Sequence, residues 1–441
     1  MKKNKVLFIC EPGIGILENI IPLCKKLKKE SIIFDIIFLK SSVIKQIYGQ
    51  PFLKNESMKI FDSYLFLNNR SLYEINDFNK MENLLEAKIF KILRSFLSLL
   101  PLRIYFRVNN YMKKISNFFS NLVIKKFRID ITNKIKEYDL VFYDVEKEEI
   151  FTETEKSINF FFKIIKNIPK FSFYHSSAFN YISQKKKISE NLDIQKLHIC
   201  KFSKTIQEQN LYEYYVDNSK IYNLGNPKHD TIWTNYVLAN EKKSDFIDEN
   251  TVYFISRSLT GAYYNMSDKI FTLKILAKLI LNYPELKLAI KLHPKEDSII
   301  GKKLYFKYLG KKNYKKTWSF SNVHPLVAGY QCKFAVTVYS GLAIDMLLVK
   351  KPVIELVNLN KTSLSKHEYF IDKNNNKISG LNFYNLVYGA LDEKQFFEKV
   401  RYILNNYDES RNYLYQNYIK CFNTGAIIQN IASKVQEILR K

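Results

Sequence analysis

Short apolar runs alternate with amphipathic stretches in two separate blocks of this chain. The first block opens on Val6–Cys10 (VLFIC), a run too short for a helix and closed by Glu11-Pro12-Gly13, which reads as a buried strand. Gly13-Ile14-Gly15 and a helix over Glu18–Lys28 follow, then a second strand over Ile32–Leu39, giving a β-α-β start and a parallel sheet. Further strands are expected at Asp139–Tyr143, Lys170–Tyr174 and Ile221–Leu224, with Gly225-Asn226-Pro227 as the closing turn. The polar stretch Asn240–Asn250 reads as a linker. The second block then restarts: strand Thr251–Ile255, amphipathic helix Asp268–Asn282, strands Leu286–Leu292 and Phe334–Val338, a helix from Leu342 and a strand over Pro352–Leu356. From about Lys394 the pattern is helical. The class is therefore α/β, with two Rossmann-like doubly wound domains facing a central cleft: residues 1–230, residues 240–395, and C-terminal helices over 396–441.

Residues 81–136 interrupt the first block with a helical pattern. Between Glu86 and Arg128 it carries ten Lys or Arg against Glu86 as the one acid, interleaved with Phe, Leu, Ile and Tyr. Two readings stand: a surface that rests on anionic lipid, or an insertion with a solvated basic face.

A length of 441 residues exceeds one ordinary core and fits the two-domain reading. The net charge of +26 points to nucleic acid, an anionic membrane surface or an anionic substrate. No zinc-finger, helix-turn-helix or ribonucleoprotein motif is present, so nucleic acid is not an expected partner. The five cysteines are scattered and lack a C-x-x-C pair; neither zinc nor a disulfide framework is expected, and the compartment is a reducing cytoplasm. The opening MKKNKVLFIC has too short an apolar run for a signal peptide. No window reaches the ~18 apolar residues of a membrane span, which leaves a cytoplasmic protein, peripheral at the inner membrane face if the basic segment binds lipid.

Parallel sheets bind ligands at the carboxyl ends of their strands, so the residues just past each apolar run carry the candidate chemistry. In the second block these are Arg257 within Ser256-Arg257-Ser258, His293-Pro294-Lys295-Glu296, Ser340-Gly341 and Glu355, with His324-Pro325 ahead of a further helix. An imidazole at His293, neutral or protonated, can donate to a phosphate oxygen or protonate a departing one. Ser340-Gly341 opens a helix whose amides favour an anion. Arg257 and Lys295 supply cations, Glu355 an acceptor for a sugar hydroxyl, and His324 a base contact or a helix cap. In the first block Asp144 and His175 follow strands and are the candidate general bases. Glu11, Gly13 and Gly15 lie on the acceptor side; the glycines admit close approach of a ligand, and the missing third glycine departs from a dinucleotide fingerprint. No Asp-x-Asp occurs, and no metal or other cofactor is expected.

The pair KLHPKE and VTVYSGLAIDMLLVKKPVIEL resembles the His-Pro and serine motifs of bacterial sialyltransferases and polysialyltransferases. Similar pairs occur in the Kdo transferases of capsule synthesis and the CDP-glycerol glycerophosphotransferases of teichoic acid synthesis. The resemblance implies a GT-B glycosyltransferase of surface polysaccharide synthesis, with His293 and Ser340 holding the donor phosphate. His175 in FYHSS sits like the histidine implicated in the glycerophosphotransferases, without the glycine that follows it there. The acidic motif of the sialyltransferases is absent, and their paired serines are Ser340-Gly341 here. The expected reaction is metal-independent transfer from a CMP-activated acidic sugar, of sialic acid or Kdo type, to a glycan or lipid-linked acceptor. Alternatives are a CDP-polyol phosphotransferase, a UDP-GlcNAc 2-epimerase-like enzyme, and a non-catalytic glycan-binding or export component.

Overall fold

The computed structural model describes residues 3–11, 13–39, 41–68, 71–76, 127–144, 156–173, 193–204, 216–260, 264–296, 298–364 and 369–440. The first apolar run forms strand β1 (Lys5–Ile9). Its alternating side chains enter two different cores, Val6 and Phe8 on one face and Leu7 and Ile9 on the other. A strand buried on both faces cannot alternate apolar with polar, which is why VLFIC is uninterrupted. β1 pairs in parallel with β2 (Ile33–Phe38) and with β6 (Leu140–Tyr143). Beyond β6 lie β7 (Lys170–Phe173), β8 (Leu197–Lys201) and β9 (Ile221–Asn223), all parallel. The opposite edge adds β3 (Ser63–Asn68), parallel to β2, then β4 (Ser71–Ile75) and β5 (Arg128–Ile129), both antiparallel. The nine strands make one sheet.

The second sheet has six strands: β10 (Thr251–Ile255), β11 (Lys287–Lys291), β12 (Trp318–Phe320), β13 (Phe334–Thr337), β14 (Val353–Leu356) and β17 (Tyr388–Ala390). Their spatial order is β12-β11-β10-β13-β14-β17, parallel throughout. The order reverses between β10 and β13, so the loops after these two strands flank the crevice where such sheets bind ligands. β15 (Phe370–Ile371) and β16 (Lys377–Ile378) form a separate small hairpin.

The long basic helices over 81–136 fall on residues outside the described set as far as 126. The remainder holds β5 and a five-residue helix, Ile131–Ile135. The tail is helical but does not stay with one sheet. Helices Glu393–Asn405 and Tyr407–Cys421 bury Phe396, Val400, Leu414 and Tyr418 in the second sheet's cores. The last helix, Ile427–Arg440, crosses back and buries Ile427, Ile428, Ile431 and Val435 against the first.

The Gly225–Asp230 loop (GNPKHD) serves as more than a closing turn. Asn226 donates to Asn19 Oδ1 at 3.0 Å, and Asp230 caps helix Thr231–Asn240 through Ile232 N–H at 2.8 Å. The second oxygen of Asp230 accepts from Ile428 N–H at 2.9 Å, fastening the last helix. Gly225 has φ 95°, and a Cβ there would lie 2.9 Å from Asn423, so both backbone and space require glycine.

Candidate active site

Between the two sheets lies a cavity of about 390 Å³. The second sheet contributes Ile255–Ser258 after β10, Lys291–Lys295 after β11 and Tyr339–Leu342 after β13, joined by His324 and Pro325. Across from them stand Gly13–Gly15, Glu18, Asn19, Gln46, Gln50 and Leu53, with Lys228 from the GNPKHD loop.

One wall is cationic. His293, Arg257 and Lys295 stand together there, and His293 Nδ1 accepts the Lys295 N–H at 3.1 Å. That bond places the ring proton on Nε2. Burial, then Arg257, Lys295 and Lys269, push the imidazole down to about 3. Burial thus favours the neutral ring in the open cavity, with its Nε2–H free to donate. The loops are pinned from behind by Glu296, which accepts from Ser256 Oγ at 2.7 Å and pairs with the buried Lys269. Tyr305 in turn donates to Ser256 Oγ at 2.8 Å. The last residue of HPKE therefore holds His293 and Arg257 in one frame rather than facing the ligand.

After β13 the chain turns at Tyr339, whose φ of 46° is left-handed. A bulky residue in that region costs of order 1–3 kcal/mol and is tolerated where surrounding structure holds it. The turn delivers Ser340 and Gly341 to the cavity. Ser340 Oγ accepts from Leu342 N–H at 3.4 Å as a weak cap, and no atom lies within 4 Å of where a Gly341 Cβ would stand. The helix is short, Leu342–Leu348.

A second polar cluster crosses between the sheets at the deep end. Glu18 Oε1 lies 3.2 Å from His324 Nε2 and 3.5 Å from Lys228 Nζ. Lys228 also pairs with Asp345 at 2.9 Å, and His229 Nε2 lies 3.6 Å from the other Asp345 oxygen. Burial alone would raise the Glu18 carboxyl, yet Lys228 and His324 hold it below the ordinary range. His229 is pushed down by burial. Lys291 ends β11 in the same region, its ammonium 3.3 Å from Gln50 Oε1 and pushed down to about 8 by burial.

Of the residues expected at the site, Arg257, His293, Pro294, Lys295, His324, Ser340, Gly341, Gly13 and Gly15 line this cavity. His324 also caps helix Pro325–Gln331, its Nδ1 accepting Leu326 N–H at 3.2 Å. Glu11, Asp144 and Glu355 are buried and are not among its lining residues. Glu355 accepts from Ser379 Oγ, and burial lifts its carboxyl to about 7. His175 lies outside the described residues. Lys228, Lys291 and Asp345 carried no marker: Lys291 is hidden in an apolar strand, and Lys228 meets Asp345 across 117 residues of sequence. Among the described residues no cluster of His, Cys, Asp and Glu suits a metal ion, and no helix is long and apolar enough to cross a membrane. All five cysteines are buried free thiols.

No protein-family model matches the chain, and no curated protein matches it by sequence. Solved structures match over its whole length. A S. aureus MnaA–UDP structure has a TM-score of 0.56 at 12% identity, covering 100% of this chain and 97% of that one. UDP-GlcNAc 2-epimerase from Neisseria meningitidis, bound to UDP-GlcNAc, has a TM-score of 0.56 at 13% identity, with 99% and 100% covered. The wall teichoic acid polymerase TagF, soaked with CDPG, has a TM-score of 0.51 at 9% identity, with 100% and 90% covered. With two Rossmann-like sheets presenting the ends of their parallel strands to one cavity, the chain has the GT-B fold.

Proposed function

We propose that the protein is a glycosyltransferase that binds a nucleotide-activated sugar in this cavity. The observation that carries the reading is the cationic wall, where Arg257, Lys295 and the Nε2–H of His293 converge beside Ser340-Gly341. The donor we propose is a CMP-linked acidic sugar of sialic acid or Kdo type, and the acceptor a cell-surface glycan or its lipid-linked precursor at the inner membrane face. In the reaction an acceptor hydroxyl attacks the anomeric carbon, and the bond from that carbon to the phosphate oxygen breaks. The bonding pair leaves with the nucleotide phosphate, where fixed donors and cations stabilise the growing charge. No divalent metal is required for that step. The hydroxyl proton passes to a base of the first block; His175 is the residue to test first, since Asp144 is buried and not among the cavity's lining residues. Glu18 is a poor base, because the Lys228 ammonium and the His324 imidazole beside it favour its ionised form.

Thermal stabilisation by CMP, CDP, UDP and GDP at equal millimolar concentration, with and without EDTA, tests the reading. A ligand at 100 times its dissociation constant adds about 2.7 kcal/mol. The expected result is a CMP-selective rise in Tm, unchanged by EDTA and lost in Arg257→Ala and His293→Ala. A second reading has its own support, since a UDP-GlcNAc 2-epimerase matches over the full chain; selectivity for UDP would favour it. Selectivity for CDP would favour a polyol-phosphate transferase. No response to any nucleotide would favour a non-catalytic component.

A further inference from the structure

The cationic wall accounts for a nucleotide phosphate and leaves one buried cation without a task. Lys291 is 5% exposed and lines the cavity. Its ammonium meets the neutral Gln50 amide oxygen at 3.3 Å, and among the described residues no carboxylate is close enough to form an ion pair with it. Glu18 is held by Lys228 and His324, and Asp345 by Lys228. Those acids and Glu241 act on Lys291 only at longer range, and Lys228 opposes them. Burying an ammonium against neutral dipoles is unfavourable, so Lys291 lacks a directly paired carboxylate.

A second feature of the same corner also favours an anion. Helix Ile14–Lys28 begins there with Gly13 as its cap, which supplies no side-chain acceptor, and with no acid in its first turn. The two features adjoin: Gln46 lies against Gly13, and Gln50, a short turn further along the chain, touches Lys291.

We propose that Lys291, with the amides at Gly13–Gly15, forms a second anion subsite that binds a carboxylate on the transferred sugar and so selects acidic over neutral donors. This rests on the nucleotide-sugar reading and deepens it, since it names the residues that would recognise the sugar's acid group. A carboxylate would form charge-assisted hydrogen bonds with the ammonium away from water, where they are strong. A neutral sugar would leave the charge as it stands.

The test compares wild type with Lys291→Met by calorimetric titration with CMP and with CMP-N-acetylneuraminate. Methionine keeps the volume and removes a buried charge that has no directly paired carboxylate, so Tm should hold or rise; Lys291→Gln serves as a second variant. The expected result is unchanged CMP affinity and an acidic-donor affinity weakened about tenfold or more. If UDP proves to be the nucleotide bound, the same comparison uses UDP-glucuronate against UDP-glucose. An equal loss for nucleotide and donor, or no loss for either, would overturn the subsite while leaving the nucleotide reading intact. Wild type that binds no nucleotide would remove both.

Discussion

Lys291 and His293 stand at the end of one strand, and burial pulls the pKa of both down. The consequences at pH 7 are opposite. Lys291, at about 8, keeps its charge, whereas His293, at about 3, has none. For His293 the linkage has a definite sign. An unfolded chain takes up a proton at this ring near pH 6.5, and the folded protein does not until about pH 3, so stability is lost as the pH falls through that window. The slope is at most about 1.4 kcal/mol for each pH unit. Thermal melts of His293→Gln should therefore lose less Tm than wild type between pH 6.5 and pH 4. Equal losses would mean the imidazole is already charged in the fold, and that it meets phosphate as a cation rather than as a neutral donor.

At the scale of elements, much rests on one side chain. Asp230 caps helix Thr231–Asn240 with one oxygen and ties the last helix with the other. Replacing a capping aspartate costs about 0.5–2 kcal/mol, and leaving the buried Ile428 amide unpaired costs about 1–3 more. Asp230→Ala should thus destabilise by roughly 2–4 kcal/mol in urea melts, while Asp230→Asn, which keeps an acceptor, should lose less. Similar losses in the two variants would mean that charge matters there rather than the hydrogen bonds. The strands that lead to the cavity were legible because burial on both faces leaves an uninterrupted apolar run; Thr251–Ile255 is one, expected and found with the same bounds. The short strands β12 and β17 and the antiparallel edge β3-β4 escaped notice. Three residues carry little pattern, and Ser71–Ile75 mixes polar with apolar positions that only its partner explains. The chemistry just past β10, β11 and β13 was legible for a topological reason, since parallel strands deliver their following loops to one side. The Glu18–Lys228–Asp345 cluster was not, because each member's surroundings come from a distant part of the chain.

For the whole molecule, the last helix decides whether the first sheet can stand. Five of its side chains, Ile427, Ile428, Ile431, Ala432 and Val435, are buried in the first sheet's core. At about 1.5–3 kcal/mol for each large aliphatic group, their removal approaches the whole stability of an ordinary domain, about 5–15 kcal/mol. A chain ending at Gly425 should lose hydrogen-exchange protection in β1, β2 and β6 and retain it in β10, β11 and β13. Protection retained in both sheets would show that the helix adds little.

The return of that helix also determines how the two halves can move. The backbone passes from the first sheet toward the second after β9, and it passes back between Cys421 and Ile427. The two passages run side by side: Asn423 donates to the Asn223 carbonyl at 3.0 Å, Lys204 N–H reaches the Cys421 carbonyl at 2.7 Å, and Gly225 abuts Asn423. Such a pair of strands behaves like the two leaves of a strap hinge. Sliding or twisting one half against the other would stretch a leaf, whereas a swing about their common line stretches neither. That line runs beside the Gly225–Asp230 loop, whose Lys228 lines the cavity, so a swing there would shift part of the cavity's own wall.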